Sequence, residues 1–167
     1  AKYLKHITHT SYGLGGVHEY TASVKKSDIT GQDITITKKT KPVAEAHIGL
    51  LGAPGAKVAL AAAAVADTLG TEPAAIEDAL RTLQAMPGRM QVLPGIQEST
   101  LLDDTYNAAP VAVLSALDVL QKAKASQRIA VLGTMNELGK TSAAAHHEVS
   151  SAVDAKKIDL LITIGQQ

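Results

Sequence analysis

The 167 residues carry 16 Lys+Arg against 16 Asp+Glu, so no net charge argues for a nucleic-acid or membrane-surface partner. The absence of Cys excludes a disulfide framework, thiol catalysis and a Cys-ligated zinc, and fits a reducing cytoplasm. No basic-then-apolar leader opens the sequence and no apolar run approaches the ~20 residues of a membrane span; with no Phe or Trp, the core must come from Ala, Val, Ile and Leu.

Residues 1 to 50 read as strands: Ile34–Thr37 alternates around β-branched residues, and Ala44–Leu51 alternates up to Gly52. Turns fall at Gly13-Leu14-Gly15-Gly16 and Thr30-Gly31-Gln32-Asp33, with a solvated hairpin end at Lys38-Lys39-Thr40-Lys41-Pro42. His6, His9, His18 and His47 are expected on these strands in structural or surface roles. From Ala56 to Leu69 the period becomes helical, and Gly70 suits the left-handed position after a helix. Thr71 is expected to cap a second helix, with Pro73 in its first turn and Ile76, Ala79, Leu80 and Leu83 on one apolar face. Met86-Pro87-Gly88 breaks that helix, so domains of 1–86 and 87–167 are expected.

Met90–Leu93 and Thr100–Asp103 read as strands framing a turn at Pro94-Gly95, and Pro110 opens a helix with Val113, Leu117 and Leu120 on one face. Ile129–Gly133 and Leu160–Gly165 look like short strands buried on both faces, with a helix over Ser142–Ala155 between them. This order predicts an α/β domain with a parallel sheet and right-handed crossovers. A last strand without a covering helix leaves apolar surface in water, which points to a fragment.

The chemistry-bearing stretch is Asp103-Asp104-Thr105-Tyr106-Asn107, two carboxylates at the carboxyl end of a strand directly before a helix. Ligands of open α/β sheets bind at such strand ends. The competing reading makes Asp104 or Asn107 a helix cap and turns Asp103 to water. Arg89, between a helix break and a strand, can offer its planar fork to an anion or simply sit in a surface turn. The Gly-bearing loop after Ile129–Gly133 lacks the three-glycine dinucleotide fingerprint, and no G-x-x-x-x-G-K-[ST] occurs anywhere. Gly13–Gly16 precedes strand-like sequence, not the helix N-terminus an anion needs. His146 and His147 are adjacent, so a helix points them apart and at most one faces the cleft.

In unbroken order over residues 50 to 165, the Ala-rich helix, Pro-Gly-Arg-Met at 87–90, Asp-Asp-Thr-Tyr-Asn at 103–107, Val-Leu-Gly at 131–133 and Met-x-Glu-Leu-Gly at 135–139 resemble the Mur ligases, within them the branch that adds D-alanyl-D-alanine to a UDP-muramoyl tripeptide. The resemblance implies a Rossmann-like C-terminal domain preceded by a strand-rich, two-helix remnant of a central ATPase domain. It implies ATP and Mg²⁺ in the full-length enzyme, and UDP-muramoyl peptide and an amino acid or dipeptide as substrates. Arg89 would reach the nucleotide, Asp104 would meet the ribose, and Tyr106 and Asn107 would line the closed cleft. Catalytic and metal-ligating residues are not expected in this chain, nor activity from it alone.

Three departures stand out. Where the family holds adenine with Gly-x-His-Asn-x-x-Asn, this chain has Gly52, Pro54, Gly55 and Val58; Ala109 replaces an Asn, and Thr134 an Asp. Two other classes therefore stay open: a non-catalytic Mur-like binding or scaffold protein, and a folylpolyglutamate- or cyanophycin-type amide ligase.

Overall fold

The computed structural model describes residues 9–165, so the expectation for His6 lies outside it. The chain divides into two compact units, one ending at Gln84 and the other starting at Ala85.

The first unit is a sheet of β1 (Tyr12–Gly13), β2 (Tyr20–Asp28), β3 (Gly31–Lys38) and β4 (Lys41–Ile48), in that spatial order. β1 and β2 run parallel, so Gly13–Gly16 belongs to a returning loop and not to a hairpin turn. His9 and His18, expected on strands, lie outside them. The His18 ring takes the space beside Gly13, where a Cβ would stand 2.5 Å from Nε2. β3 and β4 are antiparallel and joined through Lys39 and Thr40, both at positive φ (46° and 73°). Two left-handed residues match the strands' right-handed twist, a geometry usually given to Asn-Gly. His47 on β4 holds Asp33 at 2.7 Å on the half-exposed surface.

Alternation turns Ile34 and Ile36 to one face, where they are fully buried with Tyr20, Ile48 and Leu60. Leu60 belongs to α1 (Gly52–Thr68), which begins four residues earlier than its Ala-rich run suggests. Its buried stripe is Ala56, Ala59, Leu60, Ala63 and Ala64, small enough for close helix–sheet approach. Gln32, 2% exposed, donates both amide hydrogens through Nε2 to the carbonyls of Leu50 and Gly52, each at 2.9 Å, and so fixes the entry to α1. A Cβ on Gly55 would stand 2.8 Å from Leu50 Cβ, so packing itself excludes a side chain at that departure from the family pattern. α2 (Pro73–Arg81) buries Ile76 and Leu80; Glu72, not Thr71, is its N-cap, without a side-chain capping bond, and Pro73 in the first turn leaves one fewer amide in need of a partner.

A polar cluster closes this core. The buried Tyr20 hydroxyl donates to Asp67, and Lys38 reaches the same carboxylate at 3.1 Å while lying over the Tyr20 ring. The Tyr20 hydrogen bond, then Lys38, holds the Asp67 carboxyl below the usual carboxylate range.

The second unit contains β5 (Gln91–Pro94), β6 (Thr100–Asp103), α3 (Pro110–Lys122), β7 (Ile129–Gly133), α4 (Ser142–Ala155) and β8 (Leu160–Ile164). β7 and β8 pair parallel, as the strand–helix order implies, and β5 and β6 pair antiparallel. β6 does not pair with β7, so the four strands form two ladders and not one sheet. Val113 and Leu117 of α3 meet Val149 and Val153 of α4 over Ala130 of β7. Both helices thus cover the same face of the parallel ladder. This corrects the expectation of doubly buried strands: Ile129 and Val131 are 44% and 57% exposed beside their register partners Leu160 and Ile162. β6 is likewise not buried, with Leu101 53% exposed.

Candidate functional site

The antiparallel register pairs Gln91 with Asp103. Carried one residue outward it sets Met90 against Asp104, and two further residues outward it sets Gly88 against Tyr106. Hydrogen bonds follow that register beyond the ladder. Met90 N–H donates to Asp104 Oδ1 at 3.0 Å, and Tyr106 N–H donates to the Gly88 carbonyl at 3.1 Å. Gly88 has φ 70°, which favours glycine, and a Cβ there would be crowded, 3.2 Å from the Tyr106 nitrogen. Met90 is also left-handed, at φ 51°, strain that the Asp104 bond helps to hold. Arg89 lies over the Tyr106 ring, its guanidinium carbon 4.0 Å from the ring centroid.

Asp103 folds its own loop: Oδ1 accepts from the Thr105 hydroxyl at 2.7 Å and the Thr105 amide at 3.1 Å. Those two bonds, with a smaller contribution from the Gly88 amide, hold its carboxyl below the usual range. Both carboxylates therefore brace the turn from Gly88 to Met90, and neither caps α3. Its N-cap is Ala109, without a side-chain bond, and Pro110 leaves one fewer amide in need of a partner.

Of the four residues singled out in the sequence, the structure brings Arg89, Asp104 and Tyr106 together at one strand end. Asn107 lines, with Asp104, a cavity of about 450 Å³ between β6 and β7. Leu102, Leu117, Leu132 and Met135 make its walls apolar. His146 lines it too. Its Nδ1 donates to the Ser142 carbonyl at 2.8 Å, and its Nε2 is buried with no hydrogen-bond partner among the described residues. His147 is exposed. Sequence reasoning missed Gly88 and the Met90 amide as parts of the site. The Pro-Gly signal announces a break but not what the glycine packs against.

Among the described residues Arg89 makes no ion pair and Asp104 Oδ2 accepts no hydrogen bond, the Met90 amide going to Oδ1. A cationic fork and an open carboxylate oxygen, on adjoining turns, suit the phosphate and hydroxyl groups of a nucleotide. Among the described residues no group of three or more His, Asp or Glu gathers as a metal site. No described helix is long and apolar enough to cross a membrane.

A family model described as Mur ligase, glutamate ligase domain, matches residues 88–167. The chain is also 34% identical over 163 residues to the UDP-N-acetylmuramoyl-tripeptide–D-alanyl-D-alanine ligase of Escherichia coli K12, covering 93% of this chain and 36% of that protein. The chain belongs to the Mur ligase family. The same ligase of Haemophilus influenzae is 36% identical over 150 residues, covering 87% of this chain and 32% of its own length. This Mur ligase chain thus spans about a third of the length of the curated relatives it matches. Its fold is that of the crystal structure of MurF from Acinetobacter baumannii, with a TM-score of 0.82 at 24% identity over 94% of this chain and 34% of that one. MurC from Thermotoga maritima superposes with a TM-score of 0.71 at 16% identity, covering 98% of this chain and 41% of that one.

Proposed function

We propose that this chain is the nucleotide-closing part of an ATP-dependent ligase that adds D-alanyl-D-alanine to a UDP-muramoyl tripeptide in peptidoglycan precursor synthesis. Residues 1–86 are the end of its central ATPase domain, and residues 87–167 are its C-terminal domain. The observation that carries the reading is the braced turn from Gly88 to Met90, which sets Arg89 beside Asp104. The relatives named for this reaction, and a MurF of Thermotoga maritima crystallised with ADP, supply the nucleotide. When bound, ATP supplies the phosphoryl group that activates a peptide carboxylate toward an amine. Arg89 binds phosphate oxygens through its N–H edge, and Asp104 Oδ2 accepts from a ribose hydroxyl. Asn107 borders the cavity that Asp104 lines, and Tyr106 lies against Arg89. Charge stabilisation and positioning are most of phosphoryl-transfer catalysis, and this chain contributes one cation to them but no phosphate-cradling loop. Mg²⁺ belongs to the full-length enzyme, with ligands outside this chain.

The second reading, a non-catalytic binding or scaffold protein, is favoured by Gly55, whose packing leaves no room for an adenine-holding side chain. A chimera separates the two. The 163 aligned residues of the Escherichia coli ligase are replaced by those of this chain, and ATP-dependent addition of D-alanyl-D-alanine is assayed. The ligase reading expects turnover that Arg89→Ala abolishes or greatly lowers. A soluble chimera with a cooperative melt and no turnover supports the scaffold reading.

A further inference from the structure

We infer that Tyr106 is a positioning residue for Arg89: its ring is the platform that presents the guanidinium to an oxyanion, not a surface against which the ligand itself stacks. The inference rests on the nucleotide reading of Arg89 and goes beyond it by naming what sets the arginine's orientation. Tyr106 is 72% exposed, so burial does not account for its fixed place. Local bonds do. Its amide is held by the Gly88 carbonyl at 3.1 Å, and its Cβ lies 3.3 Å from where a Gly88 side chain would begin. Arg89 is fixed from the other side, its amide donating to the Met86 carbonyl at 3.0 Å and its neighbour Met90 tied to Asp104.

The two backbones are thus clamped before either side chain is placed, and the guanidinium settles 4.0 Å from the ring centroid. Stacking uses the face of the guanidinium and leaves the N–H donors at its edge free. A carboxylate partner would do the opposite, consuming the donors an oxyanion needs. Asp103 and Asp104 lie on the adjoining turn, yet neither pairs with Arg89 among the described residues: Asp103 Oδ1 bonds Thr105 and Asp104 Oδ1 bonds Met90. The arrangement orients a flexible cation without neutralising it. It also occupies the ring face that a base would use.

The test uses this 167-residue chain with ¹⁵N-labelled arginine and inorganic tripolyphosphate as the probe. In the free protein the Arg89 side chain should show an upfield ring-current shift that Tyr106→Phe keeps and Tyr106→Leu removes. Tripolyphosphate should move the Arg89 Nε–Hε signal, with affinity unchanged in Tyr106→Phe and about 2- to 5-fold weaker in Tyr106→Leu, the range of an exposed cation–π contact. In an Arg89→Lys background, Tyr106→Leu should weaken the probe by less, since a compact ammonium gains little from a planar platform. Two results overturn the inference: no ring-current shift in the free protein, or unchanged affinity in Tyr106→Leu once the shift is gone. A wild-type Arg89 that keeps the ring shift but ignores the probe removes the anion reading itself and leaves a merely structural stack, which also overturns it. Backbone amide spectra of each variant confirm that the fold is retained.

Discussion

Replacing Asp104 separates its two jobs, bracing the Gly88–Met90 turn and meeting the ligand. Its Oδ1 accepts the Met90 amide at 3.0 Å, a charge-assisted bond in a half-buried setting. Asp104→Ala removes that acceptor and releases a strained residue at φ 51°. A hydrogen bond to a charged group contributes about 1.5–3 kcal/mol when shielded, and partial exposure discounts this to about 1–2 kcal/mol. In a unit of this size that lowers Tm by roughly 5–10 °C. Asp104→Asn keeps an oxygen for the Met90 amide, so its melting temperature should fall by less than half as much. Both variants lose the anionic acceptor for a ribose hydroxyl, a cost of about 1–2 kcal/mol or roughly 5- to 30-fold in nucleotide affinity. Differential scanning fluorimetry and ADP titration followed by NMR provide the two readouts. Asp104→Ala that melts like wild type refutes the brace. Asp104→Asn with wild-type ADP affinity refutes the ligand role.

Leu117, 2% exposed between α3 and α4, should cost about 2–5 kcal/mol as Leu117→Ala, while Val131→Thr on the open strand face should cost under about 1 kcal/mol in a denaturant melt. Tyr20→Phe should cost about 1.5–3 kcal/mol at neutral pH by deleting the donor to Asp67. Because Asp67 is held below the usual carboxylate range, that contribution is present above its unfolded pKa and is lost as pH falls through the folded one. The gap between wild type and Tyr20→Phe in urea melts should therefore narrow below about pH 4. Thr40→Gly should stabilise the first unit by about 0.5–1 kcal/mol in thermal melts, since Thr40 sits at φ 73°. The chain alone should release no phosphate from ATP with Mg²⁺ in a phosphate-release assay, having no phosphate-cradling loop.

Most elements were legible because their signals are local. Pro110 and Gly70 mark a helix start and a helix end, and the Ser142–Ala155 helix agrees at both ends. The site was legible as a run of residue types, Asp-Asp-Thr-Tyr-Asn, but not as a geometry. Which carboxylate oxygen meets the Met90 amide depends on the β5–β6 register, and no single stretch of sequence displays a register. Ile129–Gly133 and Leu160–Ile164 have the unbroken apolar character of strands covered on both faces, yet α3 and α4 fall on one side. Apolar sequence reports the surroundings a strand is suited to, and these strands meet only half of them. The N-cap position fell at Glu72 and not at Thr71 because Pro73 fixes where the first turn starts.

The most direct measurement is an ADP titration of this chain followed amide by amide in ¹H–¹⁵N spectra. If the strand-end turns close on the nucleotide, the largest shifts fall at Gly88–Met90, Asp104 and Asn107, and they vanish in the Arg89→Ala, Asp104→Ala double variant. Saturable shifts that leave these turns untouched, or shifts that survive the double variant, would contradict it.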